Sequence, residues 1–472
     1  MGEVLNLVIS NVNNILWSYV LIGLLLILGV YFTLRSNFVQ FVCFPDMIKI
    51  LTNGKKTDSK GVSSFQAFCI SVASHVGTGN MAGVAIAIAV GGPGAVFWMW
   101  LIALIGAGSS FVENTLAQAY KVKDEDSFRG GPAYYMEKAL NKRYLGVIFS
   151  ILITIAFGLV FNSVQANTIS LAFSKAFNLN KMHVGFVVAI ITSFVIFGGI
   201  KRIAKVAESI VPIMAIAYVI VASFVIIKNI SLVPSILTLI IEDAFDFNSA
   251  IGGGIGVTIM QGIKRGLFSN EAGMGSAPNA GATANVSHPV KQGLIQTFGV
   301  FIDTIVICSA TAFIVLLSGA YENTELNGIE LTQSALSSQV GSWGNIFIAI
   351  CILMFAFSSI IGNYYYGESN IEFMTENKSV LLLYRLAVVV MVLWGSYTSL
   401  DIVWSMADLF MGFMAILNLL SILALSKYAF KLLNNYKSQV KEGKDPVFEA
   451  SMIPQMKGIE CWDEKIKLEK TI

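Results

Sequence analysis

Apolar residues run along this chain in long blocks. They do not follow the alternation of a half-buried strand or the narrow stripe of a surface helix. Blocks stand at about 17–34, 65–90, 95–119, 145–174, 183–199, 206–227, 235–268, 289–318, 343–373, 380–398 and 402–430. Many reach the roughly 20 residues needed to cross hydrocarbon. The pattern predicts an all-α polytopic membrane protein of about eleven transmembrane helices. The block at 235–268 is too long and too rich in glycine for one straight helix.

Composition agrees. The 472 residues are 55% hydrophobic and 13% charged, with a mean hydropathy of +0.72. Soluble domains carry about 25% charged residues. The net charge of +2 is scattered over short loops and offers no face for nucleic acid. The first apolar block is long enough to span and has no basic residue before it, unlike a cleavable signal. Cys43, Cys69, Cys308, Cys351 and Cys461 have no paired spacing and read as small packing residues.

Basic residues orient the chain. Arg35, Lys49, Lys55, Lys56 and Lys60 follow the first span, six more lie in 121–143, three in "IKRIAK" (200–205), and nine from Lys427 onward. The alternate loops "VGGPGA" and 321–343 have none, with Lys175 and Lys181 a mild exception. The N-terminus is expected outside and the tail inside a cell membrane. The expected division is an N-terminal segment and extra helix (1–34), a cytoplasmic linker with an amphipathic segment (35–64), a ten-helix core (65–430) and a solvated cytoplasmic tail (431–472). The core would comprise two repeats, 65–228 and 229–430.

The chemistry sits where the apolar pattern fails. "SHVGTGNMAG" (74–83) interrupts the first core block. Residues 64–76 and 81–90 read as half-helices, with Gly77-Thr78-Gly79-Asn80 between them. Unwound backbone at membrane depth survives only inside protein or beside a watery cavity. The exposed helix ends attract a carboxylate on one side and a cation on the other. Close packing through Gly79 and Gly83 is the rival reading. A second interruption, "AIGGGIGVTIMQG" (250–262), falls in the sixth core block. Breaks at core positions one and six mark corresponding places in two five-helix halves, the arrangement that holds a midplane site in secondary transporters.

Further polar positions add to this. In "FAFSSIIGNYYYGE" (355–368), Ser358 and Ser359 stand three and four residues after Phe355. On a helix the two hydroxyls flank the Phe355 carbonyl, an oxygen set for a small hard cation or simple back-bonding within the helix. Asp303 lies mid-span and Glu113 with Asn114 nearer one end. An acid inside a span is a functional candidate by default. Asp303 is expected to coordinate a cation or hydrogen-bond an unwound helix, Glu113 to pair with Lys264, Arg265 or another base. Gln165 and Asn167 line a cavity or pack helices. His75 is a gating or pairing group, and no metal-ligand spacing, nucleophile elbow or phosphate loop is present, so no enzyme is expected.

"VGTGNMAGVAIAIAVGGPGAVFWMWLIALIGAGSSFVENTLAQAY" and "GIKRGLFSNEAGMGSAPNAGATA" resemble the alanine/glycine:cation symporter family, also called sodium:alanine symporters. The resemblance runs from about Phe65 to the last span. It implies a leucine-transporter-like (LeuT-like) core of five plus five inverted helices with one extra N-terminal helix. It also implies import of a small neutral amino acid (alanine, glycine or glutamine) driven by sodium, with no cofactor, and with a monomer sufficient. By the same resemblance, the amides of Thr78 and Gly79 receive the substrate carboxylate, and Asn80 touches substrate or cation. The carbonyls of Ala73 and Val76 join Phe355, Ser358 and Ser359 around sodium, Gln165 and Met260 line the pocket, and carbonyls near 252–256, Gly254 among them, face the ammonium. Two positions depart from the family pattern. Many members carry tryptophan where this chain has Asn363, and often arginine where it has His75. Asparagine leaves more room and a polar handle, which points to a larger or more polar substrate such as glutamine. Coupling to protons through Asp303 or His75, or an amino-acid sensor that does not transport, are the alternatives.

Overall fold

A computed structural model describes residues 2–53, 62–124, 127–246 and 254–462. Gly252, Gly253, Lys55, Lys56 and Lys60 lie outside the described residues. Among the described residues, eight helices are long and apolar enough to span a membrane unaided. They are α1 (Val8–Arg35), α5 (Ala95–Ala119), α7 (Arg143–Phe177), α9 (Arg202–Lys228), α13 (Pro289–Ser318), α15 (Trp343–Met374), α16 (Lys378–Tyr397) and α17 (Leu400–Lys441). A bent pair, α3 (Ser64–His75) and α4 (Gly79–Gly91), makes a ninth span with a 45° bend at its break. The shorter apolar helix α8 (Lys181–Ile196) and a second broken pair, α11 (Ile255–Asn270) with α12 (Ala277–Gly281), complete eleven. The chain is an all-α polytopic membrane protein with a leucine-transporter-like core.

Smaller elements dress the two ends. α2 (Phe44–Asn53) follows the first span, α6 (Pro132–Lys138) the hairpin of β1 (Val122–Asp124) and β2 (Ser127–Arg129). α10 (Val233–Ala244) lies across the start of α5, where Asp243 accepts the Gly94 amide at 2.7 Å. α14 (Gly328–Val340) covers α4, and Thr332 donates to the Met81 carbonyl at 3.0 Å.

Local chemistry explains where helices begin. Ser63 and Gln66 form a reciprocal capping box at the start of α3, each satisfying the other's amide at 3.1 Å. Asn180 and Asn377 cap α8 and α16 through the amides two residues on. Pro289 opens α13, where its missing N–H costs nothing.

The sixth core span differs from its sequence reading. Residues 235–268 are not one interrupted helix: α10 is a separate short helix, and α11 runs unbroken through Gly256 and Gly262 to Asn270. Gly262 serves close packing, whereas Gly256 faces open space. A Cβ on Gly262 would collide with the Ala95 carbonyl and Trp98. The break falls instead at 271–276, where Glu271, Gly273 and Gly275 all have positive φ.

The tail also differs. α17 continues to Lys441, and the chain then folds back over the end of the bundle that holds α12. Phe448, Ile453, Met456 and Trp462 are buried. The Phe448 amide donates to Ser287 O at 2.9 Å and the Trp462 indole to Gln118 O at 3.1 Å. Apolar side chains in "VFEA", "MIP" and "CW" outweigh the surrounding charge, so this segment is docked rather than solvated. Each such buried side chain contributes about 1.5–3 kcal/mol. A chain stopped after Lys441 is therefore expected to melt several degrees lower in detergent, measured by thermal-shift size-exclusion chromatography. An unchanged melting temperature would show that the segment does not dock.

Candidate functional site

The two broken helices meet at mid-bundle. A Cβ on Gly79 would lie 3.0 Å from both Phe268 Cδ1 and Ser269 Cα, so only glycine admits the end of α11 beside the start of α4. The Gly77–Asn80 turn is held by its own side chain, since Asn80 Oδ1 accepts the Gly77 amide at 2.8 Å. Gln165 of α7 supplies the next acceptor. Its Oε1 receives the Thr78 amide at 3.0 Å and the Thr78 hydroxyl at 2.6 Å. The first amide expected to receive a substrate carboxylate thus already faces a side-chain oxygen. Asn167, also on α7, bonds the Gly395 and Thr398 carbonyls and packs helices.

Asp303 is buried in a π-helical stretch of α13, Phe301–Cys308, that faces the π-helical Gly79–Gly83. Such wide turns frequently mark functional sites. Asn80 Nδ2 donates to Asp303 Oδ1 at 2.6 Å, and the Ser269 and Thr304 hydroxyls donate to Oδ2, each at 2.8 Å. These bonds tie both broken helices to α13, the geometry of the second of its two expected roles.

Glu113 does not pair with a base. It accepts the Gly273 and Gly275 amides at 3.0 Å each and the Asn418 side-chain amide at 2.7 Å. Asn418 also donates to the Gly273 carbonyl at 2.9 Å, and Asn279 to those of Gly275 and Ser276 at 3.0 and 2.8 Å. The unwound 271–276 stretch therefore has side-chain partners for both its donors and its acceptors. Lys264 and Arg265 pair with Asp408 of α17, the Lys264 Nζ at 2.7 Å and the guanidinium by two bonds at 3.1 and 2.8 Å.

The expected cation ligands mostly converge. Ser358 and Ser359 donate to Phe355 O at 2.8 and 3.0 Å, and Ser358 reaches Ala73 O at 3.4 Å. Val76 closes α3 directly after them. These are neutral oxygens, the donor type a hard monovalent ion takes.

Two expected pocket residues lie elsewhere. Gly254 starts α11, about 24 Å along the helix from its broken end at a rise of 1.5 Å per residue. Met260 accepts from Ser18 of α1 at 3.9 Å, on the face turned to the extra helix. Both follow from placing the break within the glycine run. The residue missed in their place is Glu271, which is 1% exposed. Its Oε1 accepts from Ser74 at 2.9 Å, its Oε2 from Ser276 at 2.5 Å, and His75 Nε2 stands 3.5 Å from Oε2. An acid beside Gly273-x-Gly275 and Pro278 was the available signal. Ser74 also lies 2.7 Å from Asn363 Oδ1, so His75 and Asn363, the two departures from the family pattern, share one cluster.

Above the break, aromatic rings close the path. Phe268 stacks between Phe161 and Trp404, with centroids 4.5 Å apart on each side. The Arg265 guanidinium lies 4.4 Å over Trp404.

Similarity to known proteins points to one family. The model of the family described as "Sodium:alanine symporter family" matches residues 2–450. A protein of Bacillus subtilis (strain 168) named probable sodium/glutamine symporter is 56% identical over 98% of this chain and 97% of its own. An amino-acid carrier protein of the same organism is 53% identical over 98% and 99%. A sodium/alanine symporter of Methanococcus maripaludis is 39% identical over 89% and 94%. Among solved structures, a manganese transporter of Eremococcus coleocola matches with a TM-score of 0.52 at 16% identity, over 86% of this chain and 82% of that one, a likeness of fold alone.

Replacing Glu113 by alanine would strand the buried amides of Gly273 and Gly275, at about 1–3 kcal/mol for each group. Glu113→Ala is expected to lose most of its monodisperse yield in detergent, and Glu113→Gln, which keeps one acceptor oxygen, to lose less. Equal yields for both variants and wild type would show that the break stands without this support.

Proposed function

Because the chain belongs to the sodium:alanine symporter family, whose members are transporters and not enzymes, we propose that it imports a small neutral amino acid, alanine, glycine or glutamine, together with sodium. The carrying observation is the juxtaposition of a helix break, whose Thr78 amide is held by an exchangeable side-chain oxygen, with a neutral oxygen set nearby. Secondary transporters place substrate and coupling ion at such a pair of breaks.

The mechanism follows from the contacts. In the outward arrangement, the Phe161–Phe268–Trp404 stack and the Arg265–Asp408 pair part, since both bridge α11 to other helices. Sodium enters among Ala73, Val76, Phe355, Ser358 and Ser359, replacing the bonds both hydroxyls make to the Phe355 carbonyl. The ion fixes α3 against α15. The amino acid then presents its carboxylate to the Thr78 and Gly79 amides, displacing Gln165 Oε1. Gln165 turns its amide and donates to the carboxylate that has replaced its oxygen. Asn80, held by Asp303, keeps the break in shape. The ammonium is expected at carbonyls of the 271–276 stretch rather than near 252–256.

Rocking of the halves 65–228 and 229–430 then opens the tail side. With the N-terminus outside and the tail in the cytoplasm, the membrane potential adds about 2.3 kcal/mol per charge at 100 mV to inward movement. Release inside follows from low sodium there.

Reconstituted protein is expected to accumulate labelled alanine or glutamine only under an inward sodium gradient, and Ser358→Ala with Ser359→Ala to raise the half-saturating sodium concentration about tenfold, as loss of a bond worth about 1.4 kcal/mol would. Uptake that ignores sodium and collapses with a protonophore would replace sodium by protons. Binding without counterflow would make the protein a sensor.

A further inference from the structure

Beneath the first break, four polar side chains from three helical segments meet in the protein interior. Ser74 and His75 end α3, Glu271 opens the second break, and Asn363 comes from α15. All are at most 4% exposed. Ser74 and Asn363 each stand four residues from a transport element, Thr78 on one side and Ser359 on the other. On α15 one helical turn, about 6 Å, separates Asn363 from Ser359, while Ser74 sits in the last turn of α3, just before the break that carries Thr78. That is where a side chain with two methylenes would deliver its end if its carboxylate sat on the Thr78 amide.

The cluster is not satisfied by its own bonds. Ser74 Oγ lies 2.9 Å from Glu271 Oε1 and 2.7 Å from Asn363 Oδ1, yet a hydroxyl has a single hydrogen to donate. Asn363 Nδ2 has no partner, and neither has His75 Nδ1. Were the amide turned to donate to Ser74, its oxygen would be the orphan instead. Buried polar atoms without partners cost about 1–3 kcal/mol each and call for explanation.

Resting on the symport reading above, we propose that Ser74, His75, Glu271 and Asn363 form a side-chain subsite for a primary carboxamide, which makes glutamine the favoured cargo. A carboxamide brings one acceptor and two donors to one point. Its N–H groups meet the Glu271 carboxylate and bare His75 Nδ1, the tautomer left when Nε2–H faces Glu271. Its oxygen meets Asn363 Nδ2. A carboxylate side chain would face Glu271 at close range, like charge against like in a low dielectric. A hydrocarbon side chain would leave the orphans unpaired. Alanine leaves the subsite to water, and so binds without its contribution.

The test is sodium-driven uptake of labelled glutamine and labelled alanine into proteoliposomes, for wild type and Asn363→Leu, a variant of nearly the same size without the amide. Wild type is expected to prefer glutamine and to ignore excess glutamate. In Asn363→Leu the ratio of kcat/KM for glutamine to that for alanine is expected to fall at least tenfold. Should that variant aggregate, Asn363→Ser is read by the same ratio. An unchanged ratio overturns the subsite, because a packing role would affect both cargoes alike. Wild-type uptake of alanine without glutamine overturns it too, while leaving sodium-coupled import in place. Absence of sodium-driven uptake of any amino acid removes the symport reading itself.

Discussion

An unwound backbone inside a membrane must find a partner for every N–H and C=O without water, and this structure is organised around that demand. Five side chains from five segments meet it. Asn80 accepts the Gly77 amide and Gln165 the Thr78 amide. Glu113 accepts those of Gly273 and Gly275, and Asn418 and Asn279 donate to carbonyls of the same stretch. The polar residues scattered through these spans are thus a scaffold for two short pieces of irregular chain. The same scaffold explains how breaks can be both fixed and usable. An acceptor on a rotatable side chain, such as Gln165 Oε1, can be exchanged for a substrate oxygen without leaving an amide bare at any point.

Charge is handled with the same economy. Asp303, Glu113 and Glu271 are all buried, yet among the described residues none has a lysine or arginine within bonding distance. Each is bonded instead by hydroxyls or amides, with the His75 imidazole beside Glu271. Full ion pairs stand elsewhere, where Lys264 and Arg265 hold Asp408 and Arg385 holds Glu368. Breaking a buried ion pair by removing one partner costs about 3–5 kcal/mol. Separating Lys264, Arg265 and Asp408 must therefore hydrate all three together, and each is buried here beside Trp17 and Trp404.

How much of this could be read from the sequence depended on how local the signal was. The first break was legible because Gly77-Thr78-Gly79-Asn80 concentrates conformational freedom and polarity within one turn, and the observed halves end within two residues of the expected ones. The serine pair was legible through helical spacing together with the family resemblance. The second break was not, because glycine density is an ambiguous sign. In α11, Gly262 and Gly266 let backbones approach α5, and a Cβ on either would strike it. At 271–276 the glycines instead supply positive φ, and only two are needed because Glu271 itself adopts that conformation. A left-handed non-glycine residue costs about 1–2 kcal/mol and is held here by Ser74 and Ser276. Glu113 and Asp303 were visible as costly acids, but their partners are backbone groups or residues far along the chain. The tail was misread because its charge is conspicuous and its four buried apolar side chains are spread over fifteen residues.

The two departures from the family pattern gain meaning only in three dimensions. His75 and Asn363 are 288 positions apart and were separate puzzles in the sequence, yet Ser74 joins Asn363 to the carboxylate that His75 faces. An arginine at 75 would give Glu271 a permanent cation, and a tryptophan at 363 would fill the space beside Ser74. Each substitution alone would leave a defect. Histidine with tryptophan would leave an under-paired acid with no room for a ligand, and arginine with asparagine would leave room but no free acceptor. Histidine with asparagine instead leaves a spare acceptor at His75 Nδ1 and a spare donor at Asn363 Nδ2. Coupled residues that share one partner are expected to act non-additively, so position 75 and position 363 describe one property of the pocket rather than two.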